Sequence, residues 1–102
     1  MAEVIVSKNA DADLERLVAF LEGKEPAEAL ATYDLVLGAL QVLRAYPSIG
    51  RPVDDALREL VISRGSTGYL ALYEYDVRTD RVVILALRHQ REAGYLERGA
   101  TE

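Results

Sequence analysis

The chain has 102 residues, half of them hydrophobic, with a formal net charge of −5 and no cysteine. That length and apolar content make one domain, residues 1–102, with a single core that needs no staples. The composition excludes disulfides and thiolate metal sites, and a lone histidine, His89, argues against a histidine metal site, so no metal or cofactor is expected.

The acidity also argues against a general nucleic-acid binder, which supplies phosphate contacts from excess Lys and Arg. The charge is unevenly spread. Residues 1–50 hold four basic and eight acidic groups, whereas residues 51–102 hold eight basic groups, all Arg, and nine acidic ones. Between Arg81 and Arg91 there are three Arg, the histidine and no acid. An acidic body with a local cationic patch fits one specific partner or substrate, with no direct DNA binding by this chain alone.

Taken in order, Glu3–Ser7 reads as a short strand rich in Val and Ile. No charged-then-apolar leader precedes it, so a cytoplasmic location is expected. Ser7 or Asn9 caps a first helix, with Asp11 and Asp13 in its first turn, where the helix dipole favours negative charge. Ala10, Leu14, Leu17, Val18 and Leu21 recur at helical spacing as its buried face, and Gly23 ends it. Pro26 opens a second helix that runs to Tyr46. Its core stripe is expected to be Leu30, Tyr33, Val36, Leu37, Leu40 and Leu43. Apolar residues spread beyond that stripe, which fits either a central core helix or one that meets a partner chain. Glu28, Asp34 and Arg44 interrupt the run, so no membrane span is read.

Residues 46–52, YPSIGRP, stop the helix and turn the chain. Leu57–Arg64 follows as a second strand, with Leu60 and Ile62 on one face and Val61 and Ser63 on the other. Gly65–Gly68 makes a hairpin loop. Tyr69–Asp76 is a third strand, with Tyr69, Ala71, Tyr73 and Tyr75 on one side. Arg78–Asp80 turns into a fourth, Arg81–Arg88, and a short helical turn is expected after Tyr95. Consecutive hairpins imply an antiparallel meander. The fold class is α+β: a strand, a two-helix hairpin, then a three-stranded antiparallel meander, with the helices packed on one sheet face.

The candidate site residues lie at the strand ends. Arg88 and His89 point to opposite faces if the last strand stays regular. Arg64, Arg88, His89, Arg91 and Tyr95 have the side chains that RNA cleavage through the 2′-hydroxyl requires. An imidazole serves as acid or base, guanidiniums hold the phosphate, and a phenol donates a hydrogen bond. The same residues have structural uses. Arginines at strand ends pair with acids such as Glu74, Asp76 or Glu92, a histidine there is commonly a hydrogen-bonding residue, and Tyr95 can lie on the sheet edge with its hydroxyl in water.

Nearly the whole chain resembles the ParE/RelE superfamily of toxins from bacterial type II toxin–antitoxin systems. The order of elements matches. So do Ser7, Ala10, Asp13 and Leu14 at the first helix, the YPSIGRP turn, Arg58-Glu59-Leu60 at the start of the second strand, the tyrosine-rich third strand, and the closing ILALRHQREAGY. The resemblance implies a cognate antitoxin as partner and two alternative activities. A ParE-like toxin, of plasmid-stabilisation type, arrests growth by binding DNA gyrase without being an enzyme. A RelE-like one cleaves mRNA on the ribosome, and then His89, Arg91, Tyr95, Arg64 and Arg88 would be catalytic. No lysine follows Lys24, so a lysine-rich second strand is missing. The ParE-like reading is therefore favoured.

Overall fold

The computed structural model describes residues 1–64 and 67–95, with the side chains of residues 64 and 67 left aside. Its elements are β1 (Glu3–Val6), α1 (Lys8–Glu22), α2 (Pro26–Ala45), β2 (Arg51–Pro52), β3 (Leu57–Arg64), β4 (Thr67–Asp76) and β5 (Arg81–His89). They form a five-stranded sheet in the order β1-β5-β4-β3-β2. The meander β3–β4–β5 is antiparallel as expected, and β1 lies parallel to β5. The α+β fold read from the sequence is thus observed, with one strand added. The YPSIGRP segment is not only a turn, because Arg51 and Pro52 pair with Glu59 and Arg58 at the edge of the sheet. The helical turn expected after Tyr95 lies outside the described residues.

Local chemistry sets the helix starts. Ser7 caps α1, its hydroxyl accepting from the Ala10 N–H at 3.0 Å. Pro26 occupies the first turn of α2, where an N–H has no intrahelical partner to lose. The helices pack on one sheet face. Leu14 and Leu17 of α1 and Val36, Leu40 and Leu43 of α2 meet Ile62, Tyr69, Tyr73, Val82, Ile84 and Leu87. Two members of the expected α2 stripe are outside it: Leu30 is 65% exposed and Tyr33 is 41% exposed. Ala29 and Thr32 are buried instead. In a helix apolar nearly all round, periodicity does not choose the inward side; the packing does.

Two long-range contacts lock the sheet to its surroundings. The Gly50 N–H donates to the Tyr73 hydroxyl at 2.9 Å, inside the core. A Cβ at Gly50 would sit 2.7 Å from that ring and hydroxyl, so the glycine of YPSIGRP is required by close approach. At the other edge, β1 ends opposite Ile84, and the outer side of β5 would be bare beyond it. Side chains of α1 take over. Asn9 Nδ2 donates to the Leu85 carbonyl at 2.8 Å, and the Leu87 N–H donates to Asp13 Oδ2 at 3.0 Å. Leu85 is the extra residue of a β-bulge, since Leu72 faces Ala86 while Tyr73 faces Ile84. Of the two acids expected in the first turn of α1 only Asp11 is there; Asp13 lies beyond it, fully buried, and is a partner for a strand edge.

Candidate functional site

The register places the strand residues on two faces. Leu60, Ile62, Tyr69, Ala71, Tyr73 and His89 share the face covered by the helices, while Glu59, Leu70, Leu72 and Arg88 share the other. After His89 the chain returns across this second face and brings Tyr95 to Glu59. The Tyr95 hydroxyl donates to Glu59 Oε2 at 2.5 Å. Arg51, the direct cross-strand neighbour of Glu59, donates to Glu59 Oε1 through Nε at 3.0 Å and through Nη2. Arg88 lies with its guanidinium 5.1 Å from the centre of the Tyr95 ring, a cation–π distance. Its Nη1 donates to the Glu92 carbonyl at 2.8 Å.

Glu59 is the hub of this cluster. It is 6% exposed, and burial by itself would raise its carboxyl. Hydrogen bonds from Tyr95 and Arg51, with the Arg51 and Arg88 charges, outweigh burial and hold it below the ordinary carboxylate range. Tyr95 shifts the other way. Burial, then its bond to the Glu59 carboxylate, pushes its phenol well above the usual value, because a phenolate would face that carboxylate at contact. The hydroxyl is thus held protonated, as a donor already committed to an acid.

His89 is on the opposite face. Its ring meets Tyr69 edge-on, with centroids 5.2 Å apart. The Arg91 N–H donates to its Nδ1 at 3.0 Å, which leaves the proton of the neutral ring on Nε2. The His89 N–H donates to Glu92 Oε1 at 2.8 Å, and Arg16 of α1 grips Glu92 Oε2 at 2.9 Å. Burial would raise the Glu92 carboxyl, but these donors together hold it low. The result is a staple that ties the end of β5 to α1.

Of the five residues singled out from the sequence, Arg88 and Tyr95 come together. His89 and Arg91 lie on the helix side of the sheet, facing α1. The side chain of Arg64 lies outside the described residues. Arg88 and His89 diverge as strand parity requires. The acids expected to pair with the strand-end arginines are replaced in part. Glu92 pairs with Arg16 and Glu59 with Arg51, and the Tyr95 hydroxyl is on Glu59 rather than in water. Glu59 and Asp13 were not read as partners of these groups. Glu59 had one signal: it shares strand parity with Val61 and Ser63, on the face to which a returning tyrosine would come. No group of three or more His, Asp or Glu is arranged for a metal ion among the described residues.

Comparison with known proteins places the chain. A family model described as the ParE toxin of the type II toxin–antitoxin system parDE matches residues 4–94. The toxin RelE3 of Caulobacter vibrioides is 34% identical over 92 residues, which is 90% of this chain and 98% of that protein. RelE1 of the same organism is 36% identical over 70 residues, 69% of this chain and 75% of that one. Among solved structures, a chain of the chromosomal ParDE system of P. aeruginosa superposes with a TM-score of 0.71 at 19% identity, covering 87% of this chain and 96% of that one. A chain of the RelBE2 toxin–antitoxin complex of Mycobacterium tuberculosis gives 0.58 at 24% identity, covering 89% and 93%. At those identities the structural likeness is one of fold.

Proposed function

Because the chain belongs to the ParE toxin family of type II toxin–antitoxin systems, we propose that it arrests growth by binding DNA gyrase and is not itself an enzyme. A cognate antitoxin neutralises it. The observation that carries this reading is the state of the cationic face. Cleaving a phosphodiester needs cationic donors and an acid–base group converging on one phosphate. Here the Tyr95 hydroxyl and Arg51 are engaged with Glu59, Arg88 places Nη1 on a backbone carbonyl and its guanidinium against the Tyr95 ring, and His89 is on the other side of the sheet. Arg88 and Tyr95 serve as internal cross-links on one face, and the sheet separates them from His89 and Arg91, so the described candidates do not converge on one phosphate.

The second reading is a ribosome-dependent endoribonuclease. The observation that favours it is the similarity to two toxins named RelE, one of them 34% identical along nearly its full length. Inducing the chain in cells separates the two. The favoured reading expects growth arrest with gyrase-dependent chromosome breaks and mRNA left whole. Codon-positioned mRNA cleavage that His89→Ala abolishes would overturn it. No helix among the described residues is long and apolar enough to cross a membrane. The proposed site of action is the cytoplasm, where gyrase and nascent mRNA both are, and the proposed physiological role is plasmid stabilisation.

A further inference from the structure

Between the second half of α1 and the end of β5 lies a cavity of about 530 Å³. Its walls are apolar: Leu17, Phe20 and Leu21 from the helix, and Tyr69 from β4. The size falls in the range of sites that engulf a ligand group or an anchoring side chain. Phe20 borders it yet is 64% exposed, so this apolar wall continues onto open surface.

The polar groups of the cavity are unbalanced. Arg16, His89 and Arg91 all line it. The Arg16 Nε–H is buried and has no acceptor among the described residues. Nδ1 of His89 is occupied as an acceptor, so what its ring has left to offer is the Nε2 proton. Arg91 is exposed, and its guanidinium makes no ion pair among the described residues. The one acid there, Glu92, already accepts from the His89 N–H and from Arg16. The three unspent groups named here are all donors, and Arg91 is the cation among them whose charge is not paired with an acid among the described residues. An apolar socket rimmed by donors selects an apolar side chain with a carboxylate beside it.

We propose that this cavity seats an apolar anchor residue of the antitoxin, with an adjacent acidic residue of the same segment held by Arg91 and His89. The inference rests on the antitoxin pairing proposed above. The rest of the chain is acidic and repels an acidic segment, so the donor rim also determines where such a segment can land.

The test is a nuclear magnetic resonance titration of the full chain with three acetylated, amidated hexapeptides, EELFEE, QQLFQQ and KKLFKK. The acidic peptide is expected to bind about five-fold more tightly than the glutamine peptide, the upper end of what one exposed ion pair supplies. Its amide shifts should centre on Phe20, Leu21, His89 and Arg91. Arg91→Gln, at an exposed position, should erase the preference while the spectrum of the free protein stays native. Equal binding of the acidic and glutamine peptides, shifts centred elsewhere, or no binding at millimolar peptide would each overturn the proposal. The titration is independent of toxicity, so the induction assay that decides the toxin reading can fail without deciding this one, and the reverse.

Discussion

The Tyr95 hydroxyl donates a 2.5 Å hydrogen bond to Glu59 across 36 residues of sequence, closing the end of the described chain onto β3. Charge-assisted bonds of this kind contribute more than neutral ones. Tyr95→Phe keeps the ring against Arg88 but removes the donor. The expected cost is about 2 kcal/mol of unfolding free energy. Chemical denaturation of the two proteins measures it, and an unchanged midpoint would show that the bond contributes nothing in solution.

The same contact makes stability depend on pH at both ends. The Glu59 carboxyl is held low, so its contribution is complete above the unfolded value of about 4.3 and is lost as pH falls through the folded value. Glu92 acts in the same direction. Glu59→Gln should flatten the acid limb of the stability curve. The Tyr95 phenol is held high, so its contribution is complete below about pH 10 and is lost as pH rises from there toward the folded value. Tyr95→Phe should remove that alkaline loss. Thermal midpoints between pH 3 and 11 read both limbs.

Asp13 gives a second prediction about strand edges. Asp13→Ala leaves the buried Leu87 N–H without its acceptor and should cost about 2 kcal/mol. Asp13→Asn retains an oxygen at that position and should recover part of the loss. Hydrogen exchange at the Leu87 amide is the direct readout: rapid in the alanine variant, slower in the asparagine variant.

Gly50 and Tyr73 give a third. Gly50→Ala drives a Cβ into the Tyr73 ring and hydroxyl and should destabilise by about 2 kcal/mol. Tyr73→Phe leaves the Gly50 N–H unpaired in the core, at a cost of about 1–3 kcal/mol. In the double variant the two losses should fall short of additive, because both act on one contact. A double-mutant cycle by urea denaturation measures the coupling.

What was legible in the sequence is what short-range physics decides. The Ser7 cap, the Pro26 start, the parity of β3 and the divergence of Arg88 from His89 all follow from residues within one or two turns of each other. Two partnerships that organise the site, Tyr95 with Glu59 and Arg16 with Glu92, span 36 and 76 residues, and local periodicity carries no record of them. Asp13 looked like a first-turn acid because its partner, the Leu87 N–H, is exposed to it only by the end of β1 and the bulge at Leu85. Glu59 looked like an ordinary strand acid until the chain returned with Tyr95. Arg51 and Pro52 read as turn because two residues are too few for a strand pattern. The exposure of Leu30 and Tyr33 was hidden by the apolar character of α2 all round.

This chain is proposed to bind its target and to perform no chemistry on it. The most direct measurement adds purified chain to DNA gyrase with plasmid DNA and ATP, and in parallel to ribosomes translating a defined mRNA, and follows both nucleic acids on gels. Cleaved plasmid is expected to accumulate only when gyrase is present, His89→Ala to behave as the unaltered chain, and the mRNA to stay intact. Gyrase turnover unaffected by excess chain, together with mRNA cut at defined codon positions, would contradict the proposal.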